Sequence, residues 1–201
     1  FRGQPSAATP GSGFERGVYR RGRNRFEVGP TSWDATTSYT IPEFDTLAHS
    51  TEAAVELLAA HRLASPVAIV GVGQGHVAAA LGGSPVRLVD RDLLAVRTAA
   101  ANAVGGVEPL HVASPAGSLA GCRAAVVALP EKEPVTVTAG LLEPALVELG
   151  AGVPVVVHGR AVDVGRVLDR LRLVATDRRS RRAGVAAFTV TPPAYGRPRT
   201  G

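Results

Sequence analysis

Apolar residues along this chain fall into short continuous runs separated by helical spacings, and these runs set the expected order of elements. Val67-Ala68-Ile69-Val70 has the pattern of a strand buried on both faces. A short helical spacing follows from His76 to Leu81, then a turn at Gly82-Gly83-Ser84-Pro85. A second strand, Val86 to Val89, ends on Asp90. Asp92 to Ala103 is rich in Leu and Ala and predicts a helix stopped by Gly105-Gly106. A third strand is expected over Glu108 to Val112. A fourth, wholly apolar and therefore central, is expected over Ala124 to Leu129. Val135 to Leu149 contains a helix with Leu142, Leu146 and Leu149 on one face, ended by Gly150-Ala151-Gly152. Val153 to His158 reads as a fifth strand and Val162 to Leu171 as a helix. Leu173 to Thr176 and Val185 to Val190 read as two strands joined by a polar, basic connection, which predicts an antiparallel hairpin. Ahead of all these, Ala54, Leu57 and Leu58 form a helical apolar face. Ser50 is its expected N-cap, Glu52 favours its first turn, and it should end near Arg62.

Strands alternating with helices imply an α/β fold, a mostly parallel sheet covered on both sides and closed by an antiparallel hairpin. The domain plan that follows is a basic, partly flexible N-terminal arm over 1–40, a folded domain over 41–191 and a tail over 192–201. Residues 1–13 are rich in Pro, Gly, Ser and Ala without periodicity, so an extended or poorly ordered segment is expected. Phe26, Val28, Trp33 and Tyr39, set among turn residues, suggest short strands or an ordered arm. Trp33, the only tryptophan, is expected to anchor that arm on the body.

Composition narrows the class. A chain of 201 residues, 45% of them hydrophobic, suits one domain with a sizeable core plus extensions. No apolar run approaches the ~20 residues of a membrane span. The single cysteine, Cys122, cannot form an internal disulfide and fits a reducing compartment; it reads as a small core or edge residue. The cytoplasm is the expected location, or an organelle matrix if a targeting peptide was removed. The net charge is +5, and Lys132 is the only lysine, so the positive charge is almost all arginine. Arg16, Arg20, Arg21, Arg23 and Arg25 cluster near the front, and Arg178, Arg179, Arg181 and Arg182 near the end. Two basic blocks flanking a core suit a polyanionic partner such as RNA, and equally suit two solvated, Arg-rich segments.

The candidate chemistry lies at the end of the first apolar strand. Gly71, Gly73 and Gly75 stand at alternate positions, as in a turn that needs unusual backbone angles and lets a ligand approach the main chain. Strand, glycine turn, helix, strand and acid is half of a nucleotide-binding unit, and Asp90 is placed to accept hydrogen bonds from two ribose hydroxyls. Dinucleotide enzymes favour G-x-G-x-x-G; here His76 occupies the third-glycine position and Gly75 precedes it. The plain alternative is a glycine-rich turn that binds nothing. His76 is a candidate pocket residue, His158 ends the fifth strand where ligands bind in open α/β sheets, and His111 sits in the third strand; each also fits a structural or exposed role. No pair of histidines has metal-ligand spacing, so no metal is expected.

Val67–Gly75 as the first SAM motif, Asp90 followed by Ala95-Val96 and Asn102, the lead-in Phe44 to Leu58 and the final hairpin together resemble the class I S-adenosylmethionine (SAM) methyltransferases. Within them the chain is most similar to the small-domain enzymes that modify guanine N2 in ribosomal RNA. The resemblance covers roughly residues 40 to 191. It implies a Rossmann-like fold, a mostly parallel seven-stranded sheet with a C-terminal antiparallel hairpin, and SAM as cofactor. It implies that Gly71, Gly73, Gly75, Asp90 and Arg91 bind the cofactor, and it puts Pro130 and Glu131 at the catalytic position. RNA, possibly ribosomal, is the implied partner through Arg16–Arg25 and Arg178–Arg182, with no membrane.

The chain departs from that family twice. Methyltransferases usually carry an acid two residues before the first glycine, where it holds the methionine amino group; Ile69 stands there. The guanine-N2 enzymes carry Asn-Pro-Pro-Phe after strand four; this chain has Ala128-Leu129-Pro130-Glu131. An unpaired buried polar group costs about 1–3 kcal/mol, so SAM should bind more weakly without the acid. Methyl transfer depends on holding nucleophile, methyl carbon and sulfur in line, so losing the asparagine should slow it unless another residue serves. Glu131 is the only ionisable candidate within the motif, as an acceptor or base, and it also fits a solvated loop carboxylate. Three functions are therefore expected, in order: a SAM-dependent methyltransferase acting on RNA, a non-catalytic relative serving as an RNA-binding or ribosome-associated component, and a nicotinamide-dependent oxidoreductase.

Overall fold

The computed structural model describes residues 13, 14 and 16–192. The expectations for 1–12 and for the tail beyond residue 192 lie outside them. A hairpin comes first: β1 (Arg20–Val28) pairs antiparallel with β2 (Thr31–Ser38). The rest of the chain builds one seven-stranded sheet. Its strands are β3 (Val67–Val70), β4 (Gly83–Asp90), β5 (Gly105–His111), β6 (Ala124–Ala128), β7 (Pro154–Arg160), β8 (Ala175–Arg181) and β9 (Gly184–Val190), in the spatial order β5-β4-β3-β6-β7-β9-β8. β3 to β7 run parallel, and β9 pairs antiparallel with both β7 and β8. The strand order reverses beside β3, and that switch point opens a crevice outside the carboxyl ends of the strands.

The apolar runs explain the layers. Alternate residues of each central strand face opposite ways, so a run with no polar position must be covered twice. Ala68, Ala125, Val127, Val155 and Val157 pack with α4 (Val135–Leu149) and α5 (Ala161–Leu171) on one face. Val67, Ile69, Leu88, Val126 and Val156 pack with α1 (His49–Ala60), α2 (His76–Ala80) and α3 (Leu93–Asn102) on the other. Asp92 caps α3, its Oδ1 accepting from the Leu94 and Ala95 amides.

The hairpin adds a third layer over α1 and α2. Phe26, Val28, Trp33 and Ala35 bury themselves against Val55 and Ala79. Trp33 thus anchors the N-terminal segment, and its indole N–H donates to His76 Nδ1 at 3.3 Å. Replacing Trp33 with phenylalanine is expected to cost about 1–3 kcal/mol, because it strands the buried imidazole nitrogen; urea unfolding followed by circular dichroism measures it, and an unchanged midpoint would show the bond contributes nothing.

Three local expectations are corrected. The N-cap of α1 is Ala48, not Ser50, and has no side-chain cap; Glu43 Oε1 accepts the Ala48 amide at 2.7 Å instead. The second basic block is not a connection: Arg178, Arg179 and Arg181 lie in β8 at the sheet edge, where charged side chains discourage pairing with another chain. Only Arg182 and Ala183 remain between the strands, and Arg182 is left-handed with φ 48°. β4 and β5 begin earlier than the apolar pattern predicts, because Gly83 and Gly105 pair across the ladder. The approach is so close that a Cβ on Gly105 would lie 2.4 Å from the Gly83 carbonyl oxygen.

Candidate functional site: a cleft at the carboxyl ends of the strands

A cleft of about 820 Å³ opens over the carboxyl ends of β3, β4, β6 and β7, within the ~300–1,000 Å³ range of small-molecule sites. The glycine turn forms its floor. The three glycines are glycine for different reasons, although all have positive φ. A Cβ on Gly71 would press on the Ala128 carbonyl oxygen at 2.9 Å, and one on Gly75 would overlap the Ala99 Cα of α3 at 2.5 Å. Gly73 has nothing within 4 Å and lines the cleft, so its bare backbone is open to a ligand.

Asp90 closes the floor at the end of β4. Its Oδ2 accepts the Val72 amide at 2.8 Å and its Oδ1 the Asp92 amide at 2.9 Å. A carboxylate has about four lone-pair sites, so two remain for a ligand. The backbone bonds fix the carboxylate beside the glycine turn, half-buried and lining the cleft. Arg91 also lines the cleft, but its guanidinium donates to Glu133 at 2.9 Å and its carbonyl oxygen accepts from His111 Nε2 at 3.1 Å. This ties the loop after β4 to the loop after β6.

Segment 38–43 forms one wall, held by side chains of the turn itself. Gln74 is fully buried; its Nε2 donates to the Ser38 and Ile41 carbonyls and its Oε1 accepts the Ser38 amide. His76 Nε2 donates to the Glu43 carbonyl at 2.8 Å, while its Nδ1 takes the Trp33 bond. Both bonds fix a neutral tautomer, and burial lowers the His76 pKa despite the Glu43 carbonyl. His76 therefore lines the cleft as a structural imidazole. Asn102 at the end of α3 completes the frame, bonding both backbone groups of Thr36 and the Gln74 carbonyl. The framing roles of Gln74 and Asn102 escape sequence reasoning, since polar residues beside glycines and at a helix end look like solvated positions.

The opposite wall is the loop after β6. Ala128 is half-buried and contributes no hydrogen-bonding side-chain atom; Leu129 is buried, Pro130 half-buried, and Glu131 exposed. Both Pro130 and Glu131 line the cleft. Beside Ala128, in register on β7, stands His158. It is buried, its Nδ1 has no partner, and desolvation holds its pKa at about 4. In the unfolded chain it titrates near ~6.5. The folded value is depressed, so stability is full above pH ~6.5 and falls as acid charges the unfolded form. Between pH 7 and 5 this one histidine should remove about 2 kcal/mol. Denaturant unfolding at the two pH values measures the loss, and in His158→Gln the slope should shrink to what His76 leaves.

The charge of the cleft is lopsided. Glu43, Asp90, Asp92, Glu131 and Glu133 line it against Arg91, Lys132 and Arg160, and Arg160 is itself paired with Asp163 at 2.6 Å. Such a field favours a cationic ligand and opposes a pyrophosphate. No arginine of the two basic blocks lines the cleft, and Arg182 reaches its edge, with Nη1 3.5 Å from Nε2 of the lining residue His49. Arg21 pairs with Asp45 and lies over the Phe44 ring at 4.2 Å. Arg23 pairs with Asp34, Arg25 with Glu27, Arg179 with Asp177 and Arg181 with Glu56. Arg16, Arg20, Arg178 and Arg182 are exposed, and none of the four has a carboxylate partner among the described residues. Cys122 is buried, which raises its thiol pKa. Among the described residues no helix is long and apolar enough to cross a membrane.

No family model matches the chain, and no curated protein matches it either. Solved structures do. The T. thermophilus 16S rRNA N2 G1207 methyltransferase, in complex with AdoMet and guanosine, is similar with a TM-score of 0.66 at 14% identity, over 86% of this chain and 51% of that one. The ribosomal protein L11 methylase of Lactobacillus delbrueckii subsp. bulgaricus is similar at 0.58 and 14%, over 71% and 78%. The Pyrococcus abyssi tRNA (uracil-54, C5)-methyltransferase with S-adenosyl-L-homocysteine is similar at 0.58 and 15%, over 85% and 44%. This chain thus spans about half the length of the first and less than half of the third. The shared architecture is the Rossmann-like fold of class I SAM-dependent methyltransferases, with its mostly parallel seven-stranded sheet and antiparallel end.

Proposed function

We propose that the cleft binds SAM and that the chain is a SAM-dependent methyltransferase acting on RNA. The observation that carries the reading is the open backbone at Gly73 beside a carboxylate at Asp90 fixed by two amides. That pair fits an adenosyl group: a flat face against bare main chain and a ribose diol on the remaining lone pairs. SAM would supply an electrophilic methyl group on a sulfonium, and the carboxylate-rich lining suits that cation. The same lining speaks against the nicotinamide reading, because a pyrophosphate would meet like charge. The residues at the catalytic position, Pro130 and Glu131, would border the acceptor, with Glu131 the available proton acceptor. The solved structures of similar fold include proteins described as RNA methyltransferases, which supports RNA as the substrate class. Contact with RNA falls to the arginines without a carboxylate partner, Arg16, Arg20, Arg178 and Arg182.

Isothermal titration with SAM tests the cofactor. Saturable binding at micromolar to millimolar SAM is expected, and none at millimolar SAM would remove the enzyme reading. Transfer of labelled methyl from SAM to total RNA tests the activity. A second reading keeps the fold and drops the chemistry: a non-catalytic, RNA-binding or ribosome-associated component. Ala128 favours it, because no hydrogen-bonding side-chain atom stands where the guanine enzymes carry asparagine. RNA binding with a steep salt dependence but no methyl transfer would select that second reading.

A further inference from the structure

The wall formed by segment 38–43 contains a carboxylate to which the function above assigns no contact of its own. Glu43 lines the cleft, half-buried, and adopts a left-handed conformation with φ 67°. A residue with a Cβ adopts such a conformation uncommonly, and such strain gathers at ligand clamps. The Glu43 carbonyl accepts from His76 Nε2 in the glycine turn, and its Oε1 accepts the Ala48 amide. His76 is in turn fixed by Trp33, and Gln74 holds Ser38 and Ile41 to the same turn. The backbone of Glu43 is thereby fastened beside the turn, and its side chain is fastened through one carboxylate oxygen to the start of α1. Oε2 has no hydrogen bond among the described residues and is not an enclosed atom. Meanwhile the position from which an acid would reach a methionine ammonium is Ile69, packed in the core at 2% exposure.

We infer that Glu43 supplies the carboxylate that the glycine turn lacks, with Oε2 pairing to the ammonium of the ligand's amino-acid end. The acid has moved from the strand to the wall beside its glycine turn. This rests on the reading that the cleft takes SAM.

The test compares two ligands that share the adenosyl thioether and differ in the amino-acid end: S-adenosylhomocysteine and 5′-methylthioadenosine. In Glu43→Gln the amide oxygen can still accept the Ala48 amide, so only the charge at Oε2 is lost. Titration calorimetry on the full chain should show S-adenosylhomocysteine weakened by about tenfold or more, with methylthioadenosine within about twofold of wild type. Retained methylthioadenosine binding also certifies an intact cleft. Equal weakening of both ligands, or of neither, overturns the inference and leaves the cofactor reading standing. Failure of wild type to bind either ligand overturns both. Should the variant not fold, the desamino analogue of S-adenosylhomocysteine on the unaltered chain asks the same question: about tenfold weaker binding is expected, and equal affinity refutes the role.

Discussion

Gly75→Ala is expected to destabilise the chain by about 2–5 kcal/mol. Two effects add. A left-handed residue with a Cβ costs about 1–2 kcal/mol, and Gly75 has φ 85°. Overpacking a close contact costs about 1–3 kcal/mol, and the new Cβ would lie 2.5 Å from Ala99 Cα and 2.9 Å from its Cβ. Both neighbours belong to a helix packed in the core, so neither can swing aside as a long side chain would. For a chain of this size the melting temperature should fall by roughly 10 °C, which scanning calorimetry reads directly. A drop of only a degree or two would show that α3 slides away cheaply. Gly73→Ala is the informative contrast. It carries the backbone penalty without the clash, since nothing lies within 4 Å, and any larger effect should appear in ligand affinity.

The second large effect concerns Asp90. If the ribose sits on Asp90 as proposed, Asp90→Ala should weaken S-adenosylhomocysteine by about a hundredfold or more, because two charge-assisted hydrogen bonds at ~1.5–3 kcal/mol each would be lost. It also strands the Val72 and Asp92 amides that the carboxylate now accepts. Asp90→Asn separates the two contributions, since its carbonyl oxygen can keep one amide while the second position turns from acceptor to donor. Unlike the Glu43 substitution, loss of Asp90 should weaken methylthioadenosine as much as S-adenosylhomocysteine, because the ribose is common to both. Calorimetric titration of the two ligands decides this. Affinities within threefold of wild type would move the ligand away from the end of β4.

What the chain discloses before folding is uneven, and the reasons are physical. The central strands are legible because a strand covered on both faces has no polar position to confuse the pattern; Ala124 to Ala128 and Val67 to Val70 are cases. α4, Val135–Leu149, is legible because its leucines recur on one face and Gly150 stops it. Edge strands are harder. β8 is Ala175–Arg181; its first two residues fall in the expected strand, and the other five, four of them charged, read as a connection because one side faces solvent and the other needs few apolar residues. At the cleft, the glycine turn and Asp90 stand out because their spacing is local. Glu43 does not, since its closeness to the turn depends on hydrogen bonds spanning 33 residues of chain. Nor does the neutrality of His158, which is a property of what surrounds it rather than of its neighbours in sequence.

One feature of the hairpin layer reaches beyond packing. Besides its apolar face, its polar attachments run through Gln74, His76, Thr98 and Asn102, and two of these sit in the turn that floors the cleft. Local opening of the hairpin and loosening of the turn therefore draw on the same bonds and cannot be independent. By reciprocity, whatever rests on Gly73 slows deuterium uptake by the amides of Thr36 and Ser38, and whatever peels β2 away loosens the grip on that molecule by the same factor.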